Sequence, residues 1–193
     1  MKKITPCLSL LLVLSMLLTM ASCASNHPIN KIAEKINESN YQMTLTLSNE
    51  SLPTSITQVS KVDGNIMHTS ETIFSDEKYT EMIDDVTYYE YSMGTSGRWS
   101  KQKVNTKDLE SFIDDHSFDD LFDPDNYEKD KEEKGTYKQK KDAVIDGFKD
   151  ITIFIGDESC TVEMTMLYDG LSFETTMVFS KFGKIHLTLP KTN

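Results

Sequence analysis

From Tyr41 to Ser48 the chain alternates without a break. Tyr41, Met43, Leu45 and Leu47 fall on one parity, and Gln42, Thr44, Thr46 and Ser48 on the other. Period two is the period of a β-strand, where side chains of one parity share a face. The pattern recurs over residues 55–62, 65–74, 78–83 and 86–93, and turn residues separate the runs. Asp63-Gly64 is a hairpin signal, and Gly94-Thr95-Ser96-Gly97 closes another hairpin into Arg98-Trp99-Ser100-Lys101. Short strands with turns between them predict an antiparallel meander.

The last third returns to the same period. Ile151, Ile153 and Ile155 alternate with polar or aromatic neighbours, and Gly156-Asp157-Glu158 turns the chain. Cys160, Val162, Met164, Met166 and Tyr168 then share a parity, and Asp169-Gly170 is a second hairpin turn. Leu171, Phe173, Thr175, Met177 and Phe179 line one face of the following strand, and Phe182-Gly183 turns into Ile185, Leu187 and Leu189 before Pro190. A hairpin over residues 127–131 and 135–140 is rich in lysine and glutamate, which suits a sheet edge.

Helical spacing is rarer. Ile29, Ile32, Ala33 and Ile36 stand at i, i+3, i+4 and i+7, with Pro28 fit for a first turn. Between the two sets of strands, Asn105-Thr106 can cap a helix carrying Leu109, Phe112 and Ile113. Ser117 can cap a second carrying Phe118, Leu121 and Phe122, which Pro124 ends. Residues 143–148 read as one further helical turn. The fold class expected is α+β: a curved antiparallel sheet with the short helices of residues 106–122 packed on its concave face. Short acidic helices hold only through their apolar side, so that insert can act as a movable lid or as a static plug.

The first 23 residues carry a different message. Lys2 and Lys3 precede an apolar core through Leu10-Leu11-Leu12-Val13-Leu14 and Leu17-Leu18, which closes on Met20-Ala21-Ser22-Cys23. That is the anatomy of a secretory signal, and a cysteine after the small pair is the site of bacterial lipoprotein acylation. Residues 1–22 read as the signal, 23–28 as a lipidated tether on Cys23, and 29–193 as a single domain. An uncleaved anchor or plain secretion are the competing readings. The implied partner is a membrane, reached through the lipid on Cys23 from the extracytoplasmic side; no protein partner is implied.

Charge narrows the function classes. Acids number 31 against 20 lysines and arginines, a net charge of −11. Losing Lys2 and Lys3 with the signal takes it to −13. So acidic a chain has no electrostatic footprint for nucleic acid or for anionic headgroups. Cys7 leaves with the signal and Cys23 is acylated, so Cys160 has nothing in the chain to pair with. It reads as a buried hydrophobe on a strand rather than a nucleophile.

No enzyme or cofactor motif emerges. Asp119, Asp120, Asp123, Asp125 and Glu128 cluster, but without the spacing of a calcium loop. Asp114, Asp115 and His116 have no second histidine at helical spacing to complete a zinc site. Ser96 lacks the strand-to-helix elbow of a nucleophile. The methionines are more suggestive. Met43, Met67, Met82, Met93, Met164, Met166 and Met177 all fall in predicted strands. Methionine fills irregular space and is frequent at adaptable apolar surfaces. They form either ordinary core or one wall of an apolar cavity, with Leu45 beside them and the aromatic insert opposite.

The order of elements, with Tyr88-Tyr89-Glu90-Tyr91 and Arg98-Trp99-Ser100-Lys101 as an aromatic hairpin and Lys184-Ile185-His186-Leu187-Thr188-Leu189-Pro190 as the ending, resembles the LolA-like half-barrel lipoproteins, the LppX/LprG-like group among them. The resemblance implies a lipid or acyl chain held between sheet and helices, and no catalytic residues. The candidate ligand-binding positions, drawn from the methionine-rich strand faces and the aromatic insert, are Met43, Leu45, Leu109, Phe112, Ile113, Phe118, Leu121, Phe122, Met164, Met166 and Met177. The acidic insert departs from that group and argues against an anionic lipid. The alternative is a surface interaction or sensing module with a filled core.

Overall fold

The computed structural model describes residues 26–192, apart from 51, 53, 72–76, 85–86 and 106–118. Cys23, Leu109, Phe112, Ile113 and Phe118, with the turn expected at residues 75–77 in large part, lie outside the described residues.

The chain opens with helix α1 (Pro28–Asn37), whose Nδ1 cap comes from His27. Ile29, Ile32, Ala33 and Ile36 are all buried. Ten residues are too few for a stable isolated helix, so this stripe holds it in place, each isoleucine contributing about 2 kcal/mol by leaving water. Eleven strands follow: β1 (Asn40–Ser48), β2 (Ile56–Asp63), β3 (Ile66–Glu71), β4 (Glu77–Asp84), β5 (Thr87–Met93), β6 (Trp99–Asn105), β7 (Tyr127–Lys129), β8 (Thr136–Gln139), β9 (Phe148–Ile155), β10 (Ser159–Tyr168) and β11 (Leu171–Ser180). They make one open antiparallel sheet in the order β6-β5-β4-β3-β2-β1-β11-β10-β9-β8-β7.

Every neighbour in that order is a hairpin partner except one pair, β1 and β11. Two meanders, β1 to β6 and β7 to β11, are joined there over seven register pairs from Gln42↔Ser180 to Ser48↔Glu174. The first and last strands of the sequence are thus the middle of the sheet, and β6 and β7 are its edges. The charged β7–β8 hairpin sits at an edge, as its composition implied.

The turns follow local rules. Asp169 (φ 48) and Gly170 (φ 73) both take positive φ between paired Tyr168 and Leu171, a type I′ arrangement. The first hairpin is shifted by one from expectation. Its central residues are Gly64 and Asn65 between paired Asp63 and Ile66, with only Gly64 at positive φ, which is the type II′ pattern.

Several expectations need correction. The protein is mainly β rather than α+β with several helices. Residues 119–122 form a 3-10 turn (Asp119–Phe122), not the end of an α-helix. Asp123 stands before Pro124, which disfavours the helical region, and it is extended (φ −73, ψ 113); Pro124 then starts a second 3-10 turn, Pro124–Asn126, instead of ending a helix. Residues 143–148 form no helical turn. Gly147 has φ +79, and Ile145 bridges back to Phe148, where β9 begins. Strand β6 runs through Asn105, and the helix expected after it lies outside the described residues. The ending around Ile185, Leu187 and Leu189 is not a strand; it is tied down by side chains instead.

That tie centres on Asn40. Its Nδ2 donates to Asp63 Oδ1 (2.9 Å) and to the Ile185 carbonyl (2.9 Å), and its Oδ1 accepts from the Ile185 amide (2.9 Å). Asp63 Oδ2 accepts from the Leu187 amide (2.9 Å). Two side chains thus do for the C-terminal segment what a ladder would do, and Ile185 is buried as a result. Hydrogen bonds of this kind contribute about 1 kcal/mol each. Asn40→Ala is expected to cost about 2–3 kcal/mol in urea unfolding with an unchanged slope; a loss below about 0.5 kcal/mol would show that the clip holds nothing.

Candidate functional site

Residues paired directly across a ladder share a face, so the register assigns each side of the sheet. On the side of Tyr41, Met43, Leu45 and Leu47 one row reads Cys160, Phe179, Met43, Ser60, Thr69, Lys78 from β10 to β4. A second reads Val162, Met177, Leu45, Gln58, Glu71, and a third Tyr41, Val62, Met67, Thr80, Glu90. This core face changes character across the sheet. It is apolar over β9, β10, β11 and β1. From β2 outward it is mixed: Gln58, Ser60, Thr69 and Thr80 are buried there beside the equally buried Ile56, Val62 and Met67.

The apolar half holds the expected methionines. Met43, Met164, Met166 and Met177 are all buried, with Leu45 between Met177 and Gln58 in register. The remaining methionines are also strand residues, but Met93 is 49 % exposed. A bulge shapes this half. Between Glu163 and Thr165 the β9–β10 register shifts, and Asp150 takes φ 55. The extra residue lets Phe148 and Ile151, three apart, both turn inward.

Of the expected insert residues that are described, Leu121 and Phe122 are buried. The Phe122 ring meets Phe179 edge-on at 5.9 Å, which brings the 3-10 turn onto β11. Tyr127 at the start of β7 donates its hydroxyl to the Leu121 carbonyl at 2.6 Å and fixes that turn. Burial, with nearby Asp123 secondary, raises the Tyr127 phenol, so it stays protonated and able to donate. Helix α1 packs against both β1 and this turn.

The polar half was not anticipated. Gln58, Ser60, Thr69 and Thr80 are at most 2 % exposed. Gln58 Nε2 donates to Ser60 Oγ (3.1 Å), and Ser60 Oγ lies 3.5 Å from Thr69 Oγ1. Gln58 Oε1 has no partner among the described residues. The sequence signal was present as polar residues on the buried parity of β2, but only the cross-strand register places them in one patch.

The opposite face of β3 to β6 is aromatic. His68, Tyr79, Tyr91 and Lys101 stand in one register row. His68 stacks on Tyr79 at 4.6 Å and Tyr79 meets Trp99 at 5.4 Å. Lys101 Nζ sits 3.8 Å above Tyr89, and both Lys101 and the Tyr91 hydroxyl reach Glu81. The aromatic hairpin therefore turns its rings, Tyr88 excepted, away from the core face.

Among the described residues no cluster of three or more His, Cys, Asp or Glu could hold a metal, and no helix is long and apolar enough to cross a membrane. No protein-family model matches the chain, and no curated protein matches it significantly.

Cys160 is fully buried, and burial pushes its thiol up to about 12. In the native chain it is expected to resist iodoacetamide at pH 8 and to react once unfolded; fast native alkylation would mark it as an accessible thiolate instead. The linkage has one sign. A thiol raised from 9.0 to about 12 favours the native state below pH 9, and that contribution is lost as pH climbs towards 12.

Proposed function

We propose that this protein is an extracytoplasmic lipoprotein, anchored through an acylated Cys23, that holds an acyl chain against the apolar half of its core face. It is non-enzymatic. The observation behind this is the gathering of Met43, Met164, Met166 and Met177 on three adjacent central strands, faced by Phe122. Methionine adapts to apolar ligands of variable shape. A wall of ordinary core would gain uniqueness from stiffer residues such as Ile and Val.

The finer shape belongs to the same reading. Adjacent strands rotate by about 20–25°, and open sheets beyond about ten strands curl, split or flatten. An eleven-stranded sheet with one apolar side is best satisfied by curling into a half-barrel, as in the LolA-like lipoproteins that the sequence resembles. The anchor rests on the basic start, the apolar run and Ala21-Ser22-Cys23. Two acyl chains hold a protein on a bilayer where one does not.

A surface interaction module with a filled core is the second reading. The aromatic opposite face, where Tyr79, Tyr89 and Trp99 are only partly buried, favours it.

Protein extracted from its native membrane is expected to release an acyl lipid in mass spectrometry, near one per chain. If none co-purifies and no fluorescent fatty acid binds, the acyl-holding reading falls and the interaction module stands. Labelled palmitate should enter the wild type and not Cys23→Ala; equal labelling of both would remove the anchor.

A further inference from the structure

We propose that the buried polar half of the core face is a recognition subsite for an uncharged polyol head group, so that the ligand is a neutral acyl lipid of the acylglycerol kind. This rests on the acyl-holding function proposed above and adds the identity of the head.

The subsite starts at Gln58. It is 1 % exposed, and its Oε1 has no partner among the described residues. Turning the amide over would only exchange which end lacks one. A buried polar atom without a partner lowers stability, and natural cores avoid it unless something else supplies the bond. Gln58 also marks the boundary between halves: Leu45 lies opposite it in β1, and Met177 opposite Leu45 in β11. An acyl chain along Met177 and Leu45 would bring its head to this amide.

Beyond Gln58 its own row continues to the half-buried Glu71, and the neighbouring rows carry hydroxyls. Ser60, Thr69 and Thr80 extend the track over three strands, β2 to β4. Strands lie about 4.8 Å apart, so these hydroxyls span about 10 Å across the sheet, the scale of a small polyol. Hydroxyls both donate and accept, and so suit an amide end of either kind and a row of Ser and Thr.

The charge of the head follows from what the track lacks. Its outer end carries Lys78 and Glu90, 3.7 Å apart, so the cation is already paired. A phosphate or carboxylate head would be buried beside the uncharged Gln58, Ser60, Thr69 and Thr80 and would meet Glu71, opposite Gln58, as well as Glu90 at the rim. Burying an ion without a counter-ion is strongly unfavourable. A neutral polyol has no such penalty.

The test uses the full chain in phosphatidylethanolamine–phosphatidylglycerol vesicles and two photoactivatable probes with the same diazirine acyl chain, one a monoacylglycerol and one the free acid. Labelling is read by intact-mass and peptide mass spectrometry. The monoacylglycerol probe is expected to label about ten-fold more than the acid. Gln58→Leu should erase that preference while leaving acid labelling unchanged, and it should unfold no earlier than wild type, since it removes the unpartnered atom. Thr69→Val is the second variant, with the same expected loss of preference. Equal labelling by both probes, or a preference that survives both substitutions, overturns the head-group inference alone. Labelling by neither probe overturns the acyl-holding function and this inference with it.

Discussion

The β1–β11 pairing is the contact on which the rest depends. Seven residue pairs join the two meanders, and among the described residues no other ladder links them. These strands are also the farthest apart in sequence, so their pairing closes the longest loop in the chain and is formed at the greatest entropic cost. What offsets that cost is the face they share. Tyr41, Met43, Leu45 and Leu47 meet Thr175, Met177 and Phe179 there, and α1 and the 3-10 turn of Leu121 and Phe122 settle on the same ground. Asn40 then fastens the start of β1 to the end of β2 and to the C-terminal segment.

Much of this was legible because period two is a strong local signal. The strict alternation of residues 41–48 gave both the strand and its buried parity, and the α1 stripe gave a helix with all four apolar residues inside. Where the reading failed, a local backbone preference had overridden an apolar pattern. Leu121 and Phe122 are buried as their spacing implied, but Pro124 pushes Asp123 into an extended conformation, with a 3-10 turn on either side of it. Residues 143–148 read as a helical turn, but Gly147 takes φ +79 and Ile145 bridges to Phe148 at the start of β9, where the bulge at Asp150 lets Phe148 and Ile151 both face inward. The C-terminal Ile-x-Leu-x-Leu looked like a strand because the clip that replaces its ladder lies in Asn40 and Asp63, far away in sequence.

The site divides along the same line. The methionines on the apolar half could be named from the sequence, since each sits on the buried parity of its own strand. Gln58, Ser60, Thr69 and Thr80 could not. Singly they are unremarkable polar strand residues; they become a patch only once β2, β3 and β4 are set in register. The aromatic hairpin was legible as a hairpin, but the face its rings take was not. Its rings invite a place in the core, yet Tyr79, Tyr91 and Trp99 build a layer on the other side, with Lys101 and Glu81 among them.

A core face apolar over one set of strands, with buried amide and hydroxyl groups set among Ile56, Val62 and Met67 over the next, is what an amphiphile would match: chain over β10, β11 and β1, head against the polar groups of β2 to β4. The most direct measurement is methionine-methyl NMR with a monoacylglycerol that carries a nitroxide near the end of its acyl chain. Met43, Met164, Met166 and Met177 lie in the apolar half, while Met93 stands exposed near the sheet edge on the opposite face. The expected result is strong broadening of the first four resonances with Met93 unchanged. Broadening of Met93 alone, or of no methionine, would contradict the account.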